Sequence, residues 1–196
     1  MPDPHLFLYS LQQDQISFDW LPFSQTKYIE EYLHGGLRSQ SKYAAGICAV
    51  LCVFALRAWM TKKEVSSEFL GVIDRFSNVE EIEAMANLFE EGKSRELAVN
   101  LLTRAGYPSK GEQFFRTPQE AIVHTVGLPY CFMAWGGIAK EGHAIIASGT
   151  SFAIFDPNVG YMKMKGKQTY TMAFNKLIAE WYPEFKQGTG ITVNHF

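Results

Sequence analysis

The chain has 196 residues, 47% of them apolar and 19% charged. That composition suits one compact domain of about 150–200 residues and excludes an intrinsically disordered polymer. The formal net charge is −2 and no arm concentrates the basic residues, so nothing favours nucleic acid or an acidic membrane surface as partner.

The first residues, Met1-Pro2-Asp3-Pro4-His5, lack the basic and then apolar pattern of a cleavable leader. No apolar run reaches the roughly 18 residues of a membrane span. The longest one, residues 44–60, contains Arg57 and reads as a buried core helix. No cleavable signal and no integral membrane segment are therefore expected, although export through an uncleaved signal would leave the same sequence. No repeat or linker divides the chain, so residues 1–196 are taken as one domain. Within it, residues 1–42 are expected to form an irregular arm whose aromatic side chains lie on the body.

Beyond the arm, helical signals come first. Residues 44–63 are apolar on nearly every side, as in a helix buried all round. Asn78 with Glu81 is a candidate capping pair for a helix ending near Gly92, and residues 94–105 form a further helix stopped by Gly106 and Pro108. Thr117-Pro118-Gln119-Glu120 combines an N-cap, a first-turn proline and a capping box, and Gly127 closes that helix. Strand signals follow at 128–135, 143–148, 151–156 and 160–165, then a helix over 169–182 and a last strand over 190–196. Helices first and an antiparallel sheet second define an α+β domain, with a central buried helix packed against a small sheet.

The three cysteines, Cys48, Cys52 and Cys131, have no zinc-type spacing. Cys48 and Cys52 are one helical turn apart, a geometry that suits a disulfide poorly, so free thiols in a reducing compartment are expected. Cys48 follows Gly46-Ile47 near the amino end of the apolar helix. There, unpaired N–H groups and the helix dipole favour a thiolate and can hold an oxyanion. On this segment alone, a small apolar side chain packed in a core helix is the plainer account. Cys52 and Cys131 read as packing.

The hairpin adds the second part of a site. His143 to Ser148 and Ser151 to Asp156 are joined by Gly149-Thr150, which fits a two-residue type II′ turn. That register pairs Ser148 with Ser151 and sets His143 directly opposite Asp156, on the face that carries Ile145 and Ile154. Such a pair at the rim of an apolar surface fixes an imidazole tautomer and stabilises its protonated form. A structural His–Asp pair is the alternative. His5, His34, His124 and His195 have no carboxylate partner that spacing assigns. The alternating lysines of 161–167 suit an exposed edge strand guarded by charge.

Gly46-Ile47-Cys48 opening an apolar helix with Trp59 near its end, then Gly142-His143-Ala144, then Phe155-Asp156-Pro157-Asn158-Val159-Gly160, resemble the YopT/AvrPphB family of cysteine proteases. These are papain-like enzymes that bacteria deliver into host cells. The Phe-Asp-Pro-Asn-x-Gly string is the most specific element, and the matching blocks are a minor part of the chain. The resemblance implies a papain-like fold, with Cys48 as nucleophile, His143 as general base and then acid, and Asp156 as its orienting partner. Papain-like enzymes usually carry a Gln or Asn five or six residues before the cysteine. Here Tyr43 and Lys42 stand there, and Gln40 is the nearest amide that could serve the oxyanion.

The expected activity is thus cysteine-protease hydrolysis of a protein or peptide substrate, by a bacterial protein acting in a host cytosol or otherwise cytoplasmic. No metal and no organic cofactor is implied. The same triad could serve another amide or acyl reaction, such as peptidoglycan amidase, deamidase or transglutaminase-like chemistry. The fold could also be an inactive binding module.

Overall fold

The structure, a computed structural model, describes residues 3–33, 47–88, 94–136, 142–183 and 190–196. Its centre is the helix expected from the apolar run, α3 (Cys48–Lys62), with helix α1 (Pro4–Gln13), strand β1 (Phe18–Pro22) and α2 (Gln25–Tyr32) before it. Helices α4 (Phe69–Ile73), α5 (Phe76–Ala86) and α6 (Ser94–Arg104) follow, then β2 (Gly111–Phe115) and α7 (Pro118–Thr125). The rest is β3 (Cys131–Gly136), β4 (Gly142–Ser148), β5 (Ala153–Asp156), β6 (Gly160–Met164), α8 (Lys167–Trp181) and β7 (Ile191–His195).

All seven strands join one antiparallel sheet in the order β1-β6-β5-β4-β3-β7-β2. Successive side chains on a strand face opposite ways, so each strand feeds two cores. Phe132, Ala144, Ile146, Ala153, Phe155 and Tyr161 pack on the side of α3, with α5 and α6 behind it. Met133, Ile145, Ala147, Ile154, Met162 and Val193 pack on the other side under α1, α7 and α8. The sheet is therefore filled on both faces rather than packed against one helical half, and α3 is enclosed because it sits between the sheet and other helices.

Residues 4–32, expected to be irregular, are ordered into elements. Asp3 caps α1 by accepting from the His5 N–H, with Pro4 in the first turn, and Phe7 and Leu11 are buried in the layer of α8. Strand β1 pairs with β6, Asp19 lying opposite Lys163. The lysine-bearing strand β6 is consequently internal, and β1 is the edge that covers it. The expected capping role of Asn78 also gives way. Helix α5 begins earlier, at Phe76, and the Asn78 amide donates to the Val72 carbonyl at 2.6 Å, tying α5 to the preceding turn. The Thr117–Glu120 capping box forms as read.

The β4–β5 connection is longer than two residues. Ser148 pairs with Ala153 and Ala147 with Ile154, leaving 149–152 as the loop, with Phe152 at φ 52°. Glycine is required at 149 for a different reason from turn type: a Cβ there would stand 2.0 Å from the Thr125 carbonyl oxygen. The register has moved by two residues, and a shift of two preserves the faces.

Candidate active site

Because the faces are preserved, His143 and Asp156 remain on one side of the sheet but are diagonal neighbours instead of directly opposed. Diagonal pairs lie within reach of long and aromatic side chains, and His143 Nε2 is 3.1 Å from Asp156 Oδ1. His143 is 8% exposed and Asp156 is wholly buried.

The carboxylate is held by its own turn. Asn158 N–H donates to Asp156 Oδ1 at 2.7 Å, and Val159 N–H donates to the Asp156 carbonyl at 3.1 Å. Gly160 closes the turn at φ +116°, with an added Cβ only 2.2 Å from the Leu21 carbonyl oxygen. The Asp-Pro-Asn-x-Gly string is thus a turn whose side chain, backbone and glycine are all constrained. The N-terminal elements brace it: Gln25 N–H donates to the Pro157 carbonyl at 2.7 Å, and Trp20 Nε1–H to the Val159 carbonyl at 3.0 Å.

Cys48 arrives from the opposite layer. One turn deeper in α3, the Cys52 thiol donates to the Ala144 carbonyl at 3.4 Å, which sets Cys48 level with the His143 end of β4. The Cys48 thiol lies close enough to the His143 ring to act on its charge. His143 Nε2 is occupied elsewhere, which leaves Nδ1 as the atom for the thiol. No side chain caps α3 at Ile47, and its first helical bond runs from Leu51 N–H to Ile47 O at 2.9 Å. The N–H groups of Cys48, Ala49 and Val50 therefore have no acceptor within the helix.

Electrostatics favour an imidazolium. Burial alone opposes the charge on His143, but Asp156 and Cys48 more than offset it and push its pKa up to about 10. Burial drives the Cys52 thiol well up and the Cys131 thiol up to about 12, in keeping with packing roles for both.

Two aromatic residues that the sequence did not single out complete the cluster. Tyr182, just past the end of α8, stacks on the imidazole with ring centroids 4.6 Å apart. Its hydroxyl lies 2.7 Å from His143 Nε2 and 2.8 Å from Asp156 Oδ2. Trp135, near the end of β3, meets both rings edge-on at 5.2 and 5.1 Å. The only available signal for Tyr182 was its place before the helix-stopping Pro183, which says nothing about what the ring faces. Gln40, Gly46 and His34 lie outside the described residues. Among the described residues, no group of three or more His, Cys, Asp or Glu is arranged to hold a metal, and no helix is long and apolar enough to cross a membrane.

The architecture is a mixed α+β domain of papain-like fold, with the His–Asp pair carried by the sheet and Cys48 by the helix packed against it. Among solved structures, the chain is similar to the crystal structure of the Pseudomonas avirulence protein AvrPphB. The TM-score is 0.56 at 14% identity, over 76% of this chain and 89% of that one. This is a distant relationship of fold. No family model matches the sequence, and no curated protein matches it.

Proposed function

We propose that this chain is a cysteine protease that hydrolyses a peptide bond of a protein substrate, with Cys48 as nucleophile, His143 as general base and then acid, and Asp156 as the partner that orients the imidazole. One observation carries the reading: a thiol at a helix start without a side-chain cap lies beside a buried imidazole whose Nε2 meets a buried carboxylate.

In the first step the proton shared between Cys48 and His143 already lies on the imidazole, and the Cys48 sulfur attacks the carbonyl carbon. The oxyanion is stabilised by the N–H groups at the start of α3 that have no acceptor within the helix. Collapse breaks the C–N bond as the imidazolium protonates the leaving amine. His143 then takes a proton from water, hydroxide attacks the thioester, and the thiol is regenerated as the acid departs. The raised His143 pKa supports this order, because the acid needed by the amine is present at neutral pH.

The fold likeness to AvrPphB and the sequence resemblance to the YopT/AvrPphB proteases support the choice of protease among amide hydrolases. They equally support a bacterial effector delivered into a host cell as the setting. The test is new amino termini mapped across a host-cell lysate treated with wild type or Cys48→Ala. Cleavage that depends on Cys48 is expected. Peptidoglycan fragments, deamidated side chains or crosslinks in place of new termini would reassign the same triad. Neither product, with Cys48 alkylating as an ordinary thiol, would end the hydrolase reading.

A further inference from the structure

The Tyr182 hydroxyl sits where a water or nothing would suffice to let His143 and Asp156 interact, and its bonding is fully determined by its neighbours. Three polar atoms surround it: His143 Nε2 at 2.7 Å, Asp156 Oδ2 at 2.8 Å and Asn158 Nδ2 at 3.1 Å. A phenol donates once and accepts twice. The carboxylate oxygen can only accept, so it receives the phenolic proton. The Asn158 amide nitrogen can only donate, while Asn158 Oδ1 accepts from Gln25 Nε2 at 2.6 Å. The remaining contact is then one in which His143 Nε2–H donates to the phenol oxygen.

We propose that Tyr182 is a positioning residue of the site, relaying the Asp156 carboxylate to His143 so that Nε2 keeps its proton and Nδ1 alone exchanges one with Cys48. The inference rests on the reading of Cys48 and His143 given above and goes beyond it, because the Cys-His-Asp arrangement requires no tyrosine. Two features give the hydroxyl its weight. It is the nearer of the two acceptors to Nε2, 2.7 Å against 3.1 Å for Asp156 Oδ1. It also satisfies Oδ2 of a carboxylate with no exposure to water, where an unmet lone pair is costly. The ring stacks on the imidazole and fixes its plane, so bond and packing act on the same coordinate. The groups facing His143 are Asp156 from β5, Tyr182 from the end of α8 and Cys48 from α3. The uncharged Asn158 and Gln25 stand behind the phenol.

The experiment follows the ring nitrogens of His143 by 15N NMR from pH 5 to 11 in wild type, Tyr182→Phe and Tyr182→Leu, alongside the pH profile of Cys48 alkylation by iodoacetamide. In wild type, Nε2 should stay protonated throughout and only Nδ1 titrate. With phenylalanine, which keeps the ring and loses the bridge, the midpoint should move to lower pH by roughly 1 pH unit, as expected for losing one hydrogen bond to a charged group. Leucine should add loss of ring order on top. A wild-type titration carried by Nε2 overturns the proposal without any variant, which covers the case of a variant that does not fold. A Tyr182→Phe profile equal to wild type, or displaced to higher pH, overturns it as well. If Cys48 alkylates as an ordinary thiol in wild type while the Tyr182 effect on His143 persists, the protease reading falls and the relay stands.

Discussion

Asp156 is placed where only hydrogen bonds can make a carboxylate tolerable. It accepts from the Asn158 N–H, from His143 and from the Tyr182 hydroxyl, with no exposed surface. Burial resists the charge on His143, so the proton it retains up to about pH 10 depends on Asp156 and Cys48. Asp156→Asn removes the carboxylate's contribution, and the titration midpoint of His143 should fall. Below that midpoint the imidazolium is present to protonate a leaving amine, and above it this acid is lost. The alkaline fall of hydrolysis should therefore begin at lower pH in Asp156→Asn, with the plateau rate reduced by roughly tenfold or more. A rate-against-pH profile of both proteins checks this.

At the scale of elements, the turn between β5 and β6 joins the proposed catalytic carboxylate to packing. Gly160→Ala meets both a positive φ and backbone atoms of the β1 region within 3 Å, and overpacking of this kind costs about 1–3 kcal/mol. The unfolding temperature should drop by several degrees, and Cys48 alkylation should slow because the same turn carries Asp156. Gly71, inside α4, has nothing within 4 Å of an added Cβ. Gly71→Ala should accordingly be neutral or stabilise by up to about 1 kcal/mol, with an unchanged alkylation rate. Thr117→Ala removes the cap of α7. It should cost about 1 kcal/mol, some 2–4 °C in a domain of this size, again without effect on Cys48. Thermal melts run beside alkylation rates separate the three.

Across the whole molecule, the N-terminal elements belong to the fold. Phe7 and Leu11 fill the layer beneath α8, Lys176 on α8 forms an ion pair with Asp14, and β1 completes the sheet beside β6. Removing residues 1–24 strips four buried apolar side chains, Phe7, Leu8, Leu11 and Ile16, and the edge strand. At about 1.5–3 kcal/mol for each such side chain, with the strand's ladder bonds in addition, the loss approaches the roughly 5–15 kcal/mol that holds a domain together. The truncated chain should be recovered unfolded or aggregated, as circular dichroism and gel filtration would show. A truncated chain that melts like the full one would contradict this account of the core.

The elements visible in the sequence were those whose cause is local. The all-round apolar run made α3, Thr117 to Glu120 wrote a complete capping box, and short apolar runs marked the strands of the second half. The face shared by His143 and Asp156 was equally local, because side-chain parity along a strand survives an error of two in register. What could not be read was decided by contacts distant in sequence. The β4–β5 loop took four residues, with Gly149 packed against the Thr125 carbonyl. Asn78 was drawn from capping to the carbonyl of Val72. The arm became α1, β1 and α2, with α1 packed in the layer of α8 and β1 paired along the edge of the lysine-bearing strand. Tyr182 entered the site because α8 crosses the sheet and ends beside His143. The sequence by itself determined which residue types could do the chemistry and on which strand face two of them lay. Tertiary structure decided that the helix carrying Cys48 starts beside them, and that a tyrosine from a third element binds the other two, since no local pattern encodes where separate elements end in space.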